Sequence, residues 1–223
     1  MKKILCTLTL LFVGIATFAQ SDYTDLIKER QALAKLSKEE INAKASKSAR
    51  VEAKKLVKEG WKVAPGSMPI EKQLDRRWKM QVEQDEDGFP KYIMGQAASK
   101  GGNYDAARMQ ALNLAKIELA GNIATEVTAL IESDVENNQM DANEAQSVTE
   151  SVMGSVNTIA QSIGRTIVVS DFYRELSNKN VEVSIVLFYN GQMAKEAAKK
   201  AIKDDMMKRG DVLVNKLEKL LGF

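Results

Sequence analysis

The residues best placed to do chemistry lie in "YIMGQAASKGGNYDAARMQALNLAKIELAG", residues 92–121. A β-like run leads to Gly95, then to Lys100-Gly101-Gly102, then to a long helical pattern. Strand, Gly/Lys loop and helix follow one another in the same order in a phosphate cradle. There, backbone amides wrap the phosphates, a lysine follows the last glycine, and a hydroxyl holds magnesium. The spacing that cradle needs is G-x-x-x-x-G-K-[ST]. Here Lys100 stands where the second glycine belongs, the glycines come after it, and Asn103 and Tyr104 fall where a hydroxyl is wanted. G-x-G-x-x-G is not met either. The stretch is read as a flexible turn between a strand and a capped helix, with Lys100 on the surface.

Asp85-Glu86-Asp87-Gly88 is the next candidate. A calcium loop of the EF-hand type needs alternating oxygen ligands, Gly at its sixth position and Glu at its twelfth. Counted from Asp85, the sixth position is Pro90, so a solvated turn is expected instead. The chain has no histidine, and its one cysteine is Cys6. Histidine is the common acid/base near neutral pH and the commonest transition-metal ligand. Its absence argues against zinc and rules out Cys–His and Ser–His–Asp nucleophile schemes. Paired carboxylates could still hydrolyse a glycoside, because two acids need only converge in space. Nothing singles out such a pair, so no catalytic, cofactor or metal residue is named. Trp61 and Trp78, the only tryptophans, flank "WKVAPGSMP". They are the candidate interaction residues, able to anchor a partner; the plainer role is to pin a neighbouring segment onto its own domain.

The elements that carry these residues follow from periodicity. Residues 24–59 are rich in Ala, Lys and Glu, with a thin apolar stripe through Leu26, Leu33, Leu36, Ala49, Ala53 and Leu56, and Gly60 stops it. Ile70, Leu74, Trp78 and Val82 mark a helix over 70–84. "KYIMGQAAS" is a strand, and Asn103 caps a long helix whose small residues Ala106, Ala107, Ala111, Ala115 and Ala120 imply close packing. Asp141 to Glu144 reads as a capping box, with Met140 placed for a staple, opening one helix through Val148, Val152, Val156, Ile159 and Ile163. "RTIVVSDFYREL" and "NVEVSIVLFYN" form a hairpin around Ser177–Asn180. The second run is apolar on both faces, as a central strand is. A last helix is expected from Gln192 to Leu221. The fold class is α+β: a small three-stranded sheet packed with long helices (strand, two helices, β-hairpin, helix), preceded by an N-terminal helical arm. Residues 20–69 are the arm and its Pro/Gly connector, and 70–223 the core domain.

"MKKILCTLTLLFVGIATFAQS" has a short basic start, an apolar run over 4–16, and small residues at Thr17 and Ala19. It reads as a secretory signal, residues 1–19, with no transmembrane segment once it is removed. Cys6 precedes the apolar run, whereas a lipid-bearing cysteine would follow it. Without Lys2 and Lys3 the 32 basic residues become 30, equal to the 30 acidic ones. Nothing in that balance suggests nucleic acid. Charge is segregated, however: residues 104–150 hold nine acids and two bases, while 22–62 hold eleven bases and seven acids. A basic arm could dock on an acidic surface, although ordinary solvated helix faces explain the pattern equally simply.

"GFPKYIMGQAASKGGNYDAARMQALNLAKIELAGNIATEV" resembles the shared stretch of a family of secreted envelope proteins from the Bacteroides group. The likeness extends to "EAKKLVKEGWKVAPGSMPIEKQL", "SVTESVMGSVNTIAQSIGRTI" and "VSIVLFYNGQMAKEAAKKAI". More distantly, the core pattern is similar to the Helicobacter surface-antigen lipoprotein family and to the N-terminal domain of a flagellar assembly protein. There, too, a strand ending in Gly precedes a helix with alanines every fourth residue. The resemblance implies export, a periplasmic or outer-membrane-associated location and an α+β domain; it brings no activity with it. The lipoproteins' cysteine is missing here. The expected function is that of a non-enzymatic interaction or assembly module whose partner is another envelope protein, with no cofactor. The alternative is a periplasmic small-molecule or glycan binder, extending to a carboxylate-dependent hydrolase.

The signal reading predicts cleavage after Ala19, leaving Gln20 first, with cleavage after Gln20 the neighbouring outcome. Mass spectrometry of the native protein checks this; an intact Met1 in the envelope fraction would overturn it.

Overall fold

A computed structural model describes residues 28, 31, 35, 43–86, 88–136 and 142–209. The chain divides into two units, Met1–Lys44 and Ala45–Phe223. In the first, Lys28, Gln31 and Lys35 are helical and exposed. The expected signal, the capping residue Asp141 with Met140, and the final helix beyond Arg209 lie outside the described residues.

The second unit is an α+β fold, as the sequence implied. Its described elements are helices α1 (Lys47–Lys58) and α2 (Ile70–Val82), strand β1 (Tyr92–Gly101), and helices α3 (Tyr104–Glu136), α4 (Ala142–Gly154) and α5 (Val156–Ser162). Strands β2 (Ile167–Glu175) and β3 (Val181–Asn190) and helix α6 (Gly191–Arg209) complete it. The three strands are antiparallel in the order β1-β3-β2. β3 is central and covered on both faces, which explains why its sequence is apolar on both. Val183, Ile185 and Leu187 meet α3 through Ala107, Ala111 and Ala115, while Val186 and Phe188 pack with Met80 of α2.

Two glycines let α3 lie flat on the sheet. A Cβ at Gly95 would stand 2.6 Å from both Cβ and N of Leu119, and closer still to the carbonyl oxygen of Ala115. At Gly101 it would stand 2.8 Å from the amide of Ala107. Asn103 caps the helix as read from sequence, its Oδ1 accepting the Ala106 amide at 2.8 Å. Past the end of the sheet, α3 continues into a helical layer with α4, α5 and α6. Ile123, Val127, Val148, Val152, Ile159 and Ile202 are buried there.

The N-terminal expectation is corrected in part. Residues 24–59 are not one helix, since 43–46 are non-helical and α1 starts after Ser46. The unit boundary falls at Lys44 rather than at residue 69, so α1 is not set apart from the core. The reason is local hydrogen bonding backed by packing. Ser46 caps α1 by accepting the Ala49 amide at 3.1 Å, and Asp75 of α2 grips the cap. Ser46 Oγ donates to Asp75 Oδ1 at 2.6 Å and Ser46 N to Oδ2 at 2.7 Å. Ala49 and Ala53 are buried against Ile70, Leu74 and Phe172. At the other end Gly60, at φ 89°, closes a Schellman motif. Its amide donates to Val57 O and the Trp61 amide to Leu56 O, each at 3.0 Å.

A second correction concerns the helix expected from 141 to 163, which breaks at Ser155. Its buried Oγ lies 2.8 Å from Ser151 O and 2.9 Å from Asp205 Oδ2 of α6, so two acceptors share one hydroxyl proton. A serine bonding back to the carbonyl four residues earlier bends a helix, and here α6 holds the bend.

The glycine contacts predict opposite effects along one helix–strand contact. Gly95→Ala should lower stability by about 3 kcal/mol, the upper end for overpacking, because backbone must move. Gly121→Ala, in α3 with nothing within 4 Å of the added carbon, should raise it by roughly 0.5–1 kcal/mol. Urea unfolding of the two variants checks both signs.

Candidate functional site

The Gly/Lys stretch is not a loop. β1 runs through Lys100 to Gly101, pairing Gly95 with Leu187, Lys100 with Glu182 and Gly101 with Val181. The turn expected over 100–102 is thus shortened to Gly102 and Asn103. Because Gly95 and Gly101 sit in a strand ladder, their amides cannot wrap a phosphate. Both serve close approach of α3.

The acidic string borders an open hollow of about 540 Å³ lined by Gln84, Asp85, Glu86, Lys91, Asn190 and Gln192. Its wall is a tight turn. Asp85 N donates to Phe89 O and Phe89 N to Asp85 Oδ1, both at 2.8 Å, and Gly88 takes φ 83°. Lys91 Nζ is paired with Glu83 Oε1 at 2.6 Å, and Asn190 Oδ1 caps α6 by accepting the Met193 amide at 3.0 Å. Lys195 lies 5.4 Å from the centre of the exposed Phe89 ring. Among the described residues no group of three Asp, Glu, His or Cys is placed to hold a metal. Glu126 of α3 has its carboxyl pushed above the ordinary range by burial, an effect that Lys195 partly offsets. It does not line the hollow.

Trp61 and Trp78 are brought to one cluster. Both are partly buried against Ala49, Ala53, Ile70, Leu74 and Phe172. The Arg174 guanidinium stacks 4.5 Å from the Trp61 ring centre and pairs with Glu182 across the strands at 2.7 Å. Lys62, next to Trp61, forms an antiparallel bridge with Tyr173 on the outer edge of β2. The rings therefore seat the connector on the second face of the sheet.

Sequence reading missed one constellation. Arg108 Nε bonds Asp171 Oδ2 at 2.6 Å, and Tyr104 OH lies 3.5 Å from Asp171 Oδ1. The Tyr104 and Tyr173 rings meet edge to face at 5.1 Å. Burial, then the Asp171 charge, raises the Tyr104 phenol above its usual value, and the hydrogen bond to Asp171 raises the Arg108 guanidinium. The backbone amide of Asp171 donates to Gln73 Oε1, whose own amide group bonds Met68 O. This network fastens α3, β2 and α2 together. A charged residue inside "IVVSDFYREL" and the four-residue spacing of Tyr104 and Arg108 were the available signals. Only the fold shows that they meet. Arg77 of α2 donates to Gln96 Oε1 at 3.0 Å while its buried Nε has no hydrogen-bond partner among the described residues, and burial lowers its pKa.

With Lys100 in a strand, Lys100→Ala should change stability by no more than about 0.5 kcal/mol, as surface substitutions do. Phosphate or nucleotide should leave the melting temperature of wild type and variant alike. A nucleotide-dependent rise in wild type alone, measured by calorimetry, would restore the cradle reading. Compared with protein-family models, with curated proteins and with solved structures, the chain matches none.

Proposed function

We propose that this protein is an exported component of the cell envelope, periplasmic or associated with the outer membrane, and that it acts through its surfaces rather than through a reactive site. The observation that carries this reading is the outer side of α3. Leu114 and Ile117, one turn apart, are 42% and 45% exposed there, beside a strand that has no neighbour on its far side among the described residues. Exposed apolar groups gathered at one place mark interaction surfaces more often than catalytic ones. Three of the charged pairs close to the candidate sites support it as well. Arg108 with Asp171, Arg174 with Glu182 and Lys91 with Glu83 hold elements together. The leader-like N-terminus and the resemblance to Bacteroides-group envelope proteins supply the location.

A second reading rests on the hollow. Asp85 and Glu86 on its rim suit a hydroxyl-rich ligand such as a glycan. One experiment separates the two. The tagged protein is cross-linked in living cells and recovered from the envelope fraction, and the purified protein is titrated with envelope glycans. Repeated capture of the same envelope protein, with no saturable glycan binding, is the expected result. Glycan binding or cleavage that Asp85→Asn and Glu86→Gln abolish would replace the assembly reading with the second.

A further inference from the structure

Two residues of β1 are gripped from both faces of the sheet. From α3, Asn122 Nδ2 donates to Met94 O at 2.8 Å, and Glu118 Oε2 accepts from Gln96 N at 3.3 Å. From α2, Gln81 Nε2 donates to Met94 Sδ at 3.4 Å, and Arg77 Nη2 to Gln96 Oε1 at 3.0 Å. The backbone groups that α3 reaches are those turned away from β3. Gly191 N donates to Lys91 O at 2.8 Å and continues the β1–β3 register. Odd-numbered residues of β1 therefore bond toward β3, and even-numbered ones face outward.

In a parallel sheet, one residue of the neighbouring strand donates to the carbonyl of residue i and accepts from the amide of residue i+2. Asn122 and Glu118 offer that same donor and acceptor to Met94 and Gln96. The dimensions allow it. Four residues of helix rise about 6 Å, and two residues of strand about 6.6 Å. α3 runs back along β1. Gly95, without a Cβ, lets Ala115 and Leu119 come down onto the strand, and this brings the side chains of residues 118 and 122 to its margin.

We infer that Glu118 and Asn122 stand in for a neighbouring strand and close this part of the β1 edge to pairing by another chain. The cover ends where the helix runs out of suitable side chains. One turn before Glu118 stands Leu114, which can neither donate nor accept. One turn earlier again, Gln110 Oε1 accepts from Ser99 Oγ at 2.6 Å. Ala98 and Lys100 are exposed, and among the described residues their outward amides and carbonyls have no hydrogen-bond partner. There Lys100, the only charged residue of β1, takes over, since a lysine on an edge strand discourages pairing. The other margin of the sheet is closed by backbone instead. Lys62 N donates to Tyr173 O at 2.7 Å and Tyr173 N to Lys62 O at 2.9 Å. The guard on β1 is independent of the assembly reading above; it excludes one route of assembly, the addition of a strand at Met94 to Gln96.

Amide hydrogen exchange of the purified native protein tests this without any substitution. After correction for local sequence, the Gln96 amide should exchange about tenfold or more slowly than the Ala98 amide, which also faces outward. Glu118→Ala should remove that difference, and Glu118→Gln, which keeps an acceptor, should retain it. Sedimentation gives the second test. Lys100→Thr alone should sediment as wild type does, because the guard remains. Lys100→Thr, Glu118→Ala and Asn122→Ala together should associate at about 100 µM, with an intermolecular sheet band in the infrared and the circular dichroism of the folded chain retained. A Gln96 amide that exchanges as fast as that of Ala98 in wild type, or a triple variant that sediments as wild type does, overturns the inference. Capture of an envelope protein in cells, which judges the assembly reading, depends on neither result.

Discussion

The structure depends on how closely α3 approaches β1. At Gly95 the strand backbone touches the helix backbone and Leu119 with no room for a side chain. The alanines Ala107, Ala111 and Ala115 continue the contact toward the start of the helix, all fully buried. At such distances the packing energy comes from many backbone and methyl contacts rather than from a few large side chains. The helix cannot slide or roll without a clash. This fixes what α3 offers elsewhere. Its far half must project past the sheet, where Ile123, Val127 and Ile131 meet α4, α5 and α6. Its margin must lie along β1, the edge strand among the described residues.

The opposite face of the sheet is held differently. α1 buries only Ala49 and Ala53, and the placement of α1 and α2 relies on directed bonds as well as on packing. Asp75 holds the Ser46 cap, a Schellman turn ends α1, and Lys62 pairs with Tyr173. Buried Gln73 joins the connector at Met68 to the strand at Asp171. Trp61 and Trp78 fill the space these bonds leave. A buried amide that satisfies both its donor and its acceptor specifies position more sharply than an apolar side chain does, because misplacement leaves a polar group unpaired. Asp171 belongs to both faces. Its amide faces Gln73, while its carboxylate meets Arg108 from α3.

Much of this was legible in the residues themselves. The 3.6-residue and two-residue periods marked the helices and strands, the apolar run Ile185–Phe188 implied a covered central strand, and Asn103 and Gly60 announced the helix ends that they make. The small residues of α3 implied close packing. What escaped was whatever needed a partner distant in sequence. Lys100 and Gly101 looked like a turn because a strand seldom carries glycine, and the close approach of Ala107 that Gly101 permits arises only in the fold. The break at Ser155 is decided by Asp205. The first half of the arm pattern and the second half look alike in composition, and Asp75 decides where α1 begins.

Composition alone removed histidine- and thiol-based chemistry from consideration, because the side chains are not in the chain beyond Cys6. Local pattern decided the class of fold, since periodicity and caps act within a few residues and need no knowledge of the rest. Tertiary structure alone decided the strand order β1-β3-β2 and which residues share a face. It also brought Tyr104 and Arg108 to Asp171, and Gln110 and Glu118 to Ser99 and Gln96 of β1. The physical reason is one of range: propensity and capping are read between near neighbours, whereas close approach, charge pairing and edge exposure arise only when segments far apart in the chain come into contact.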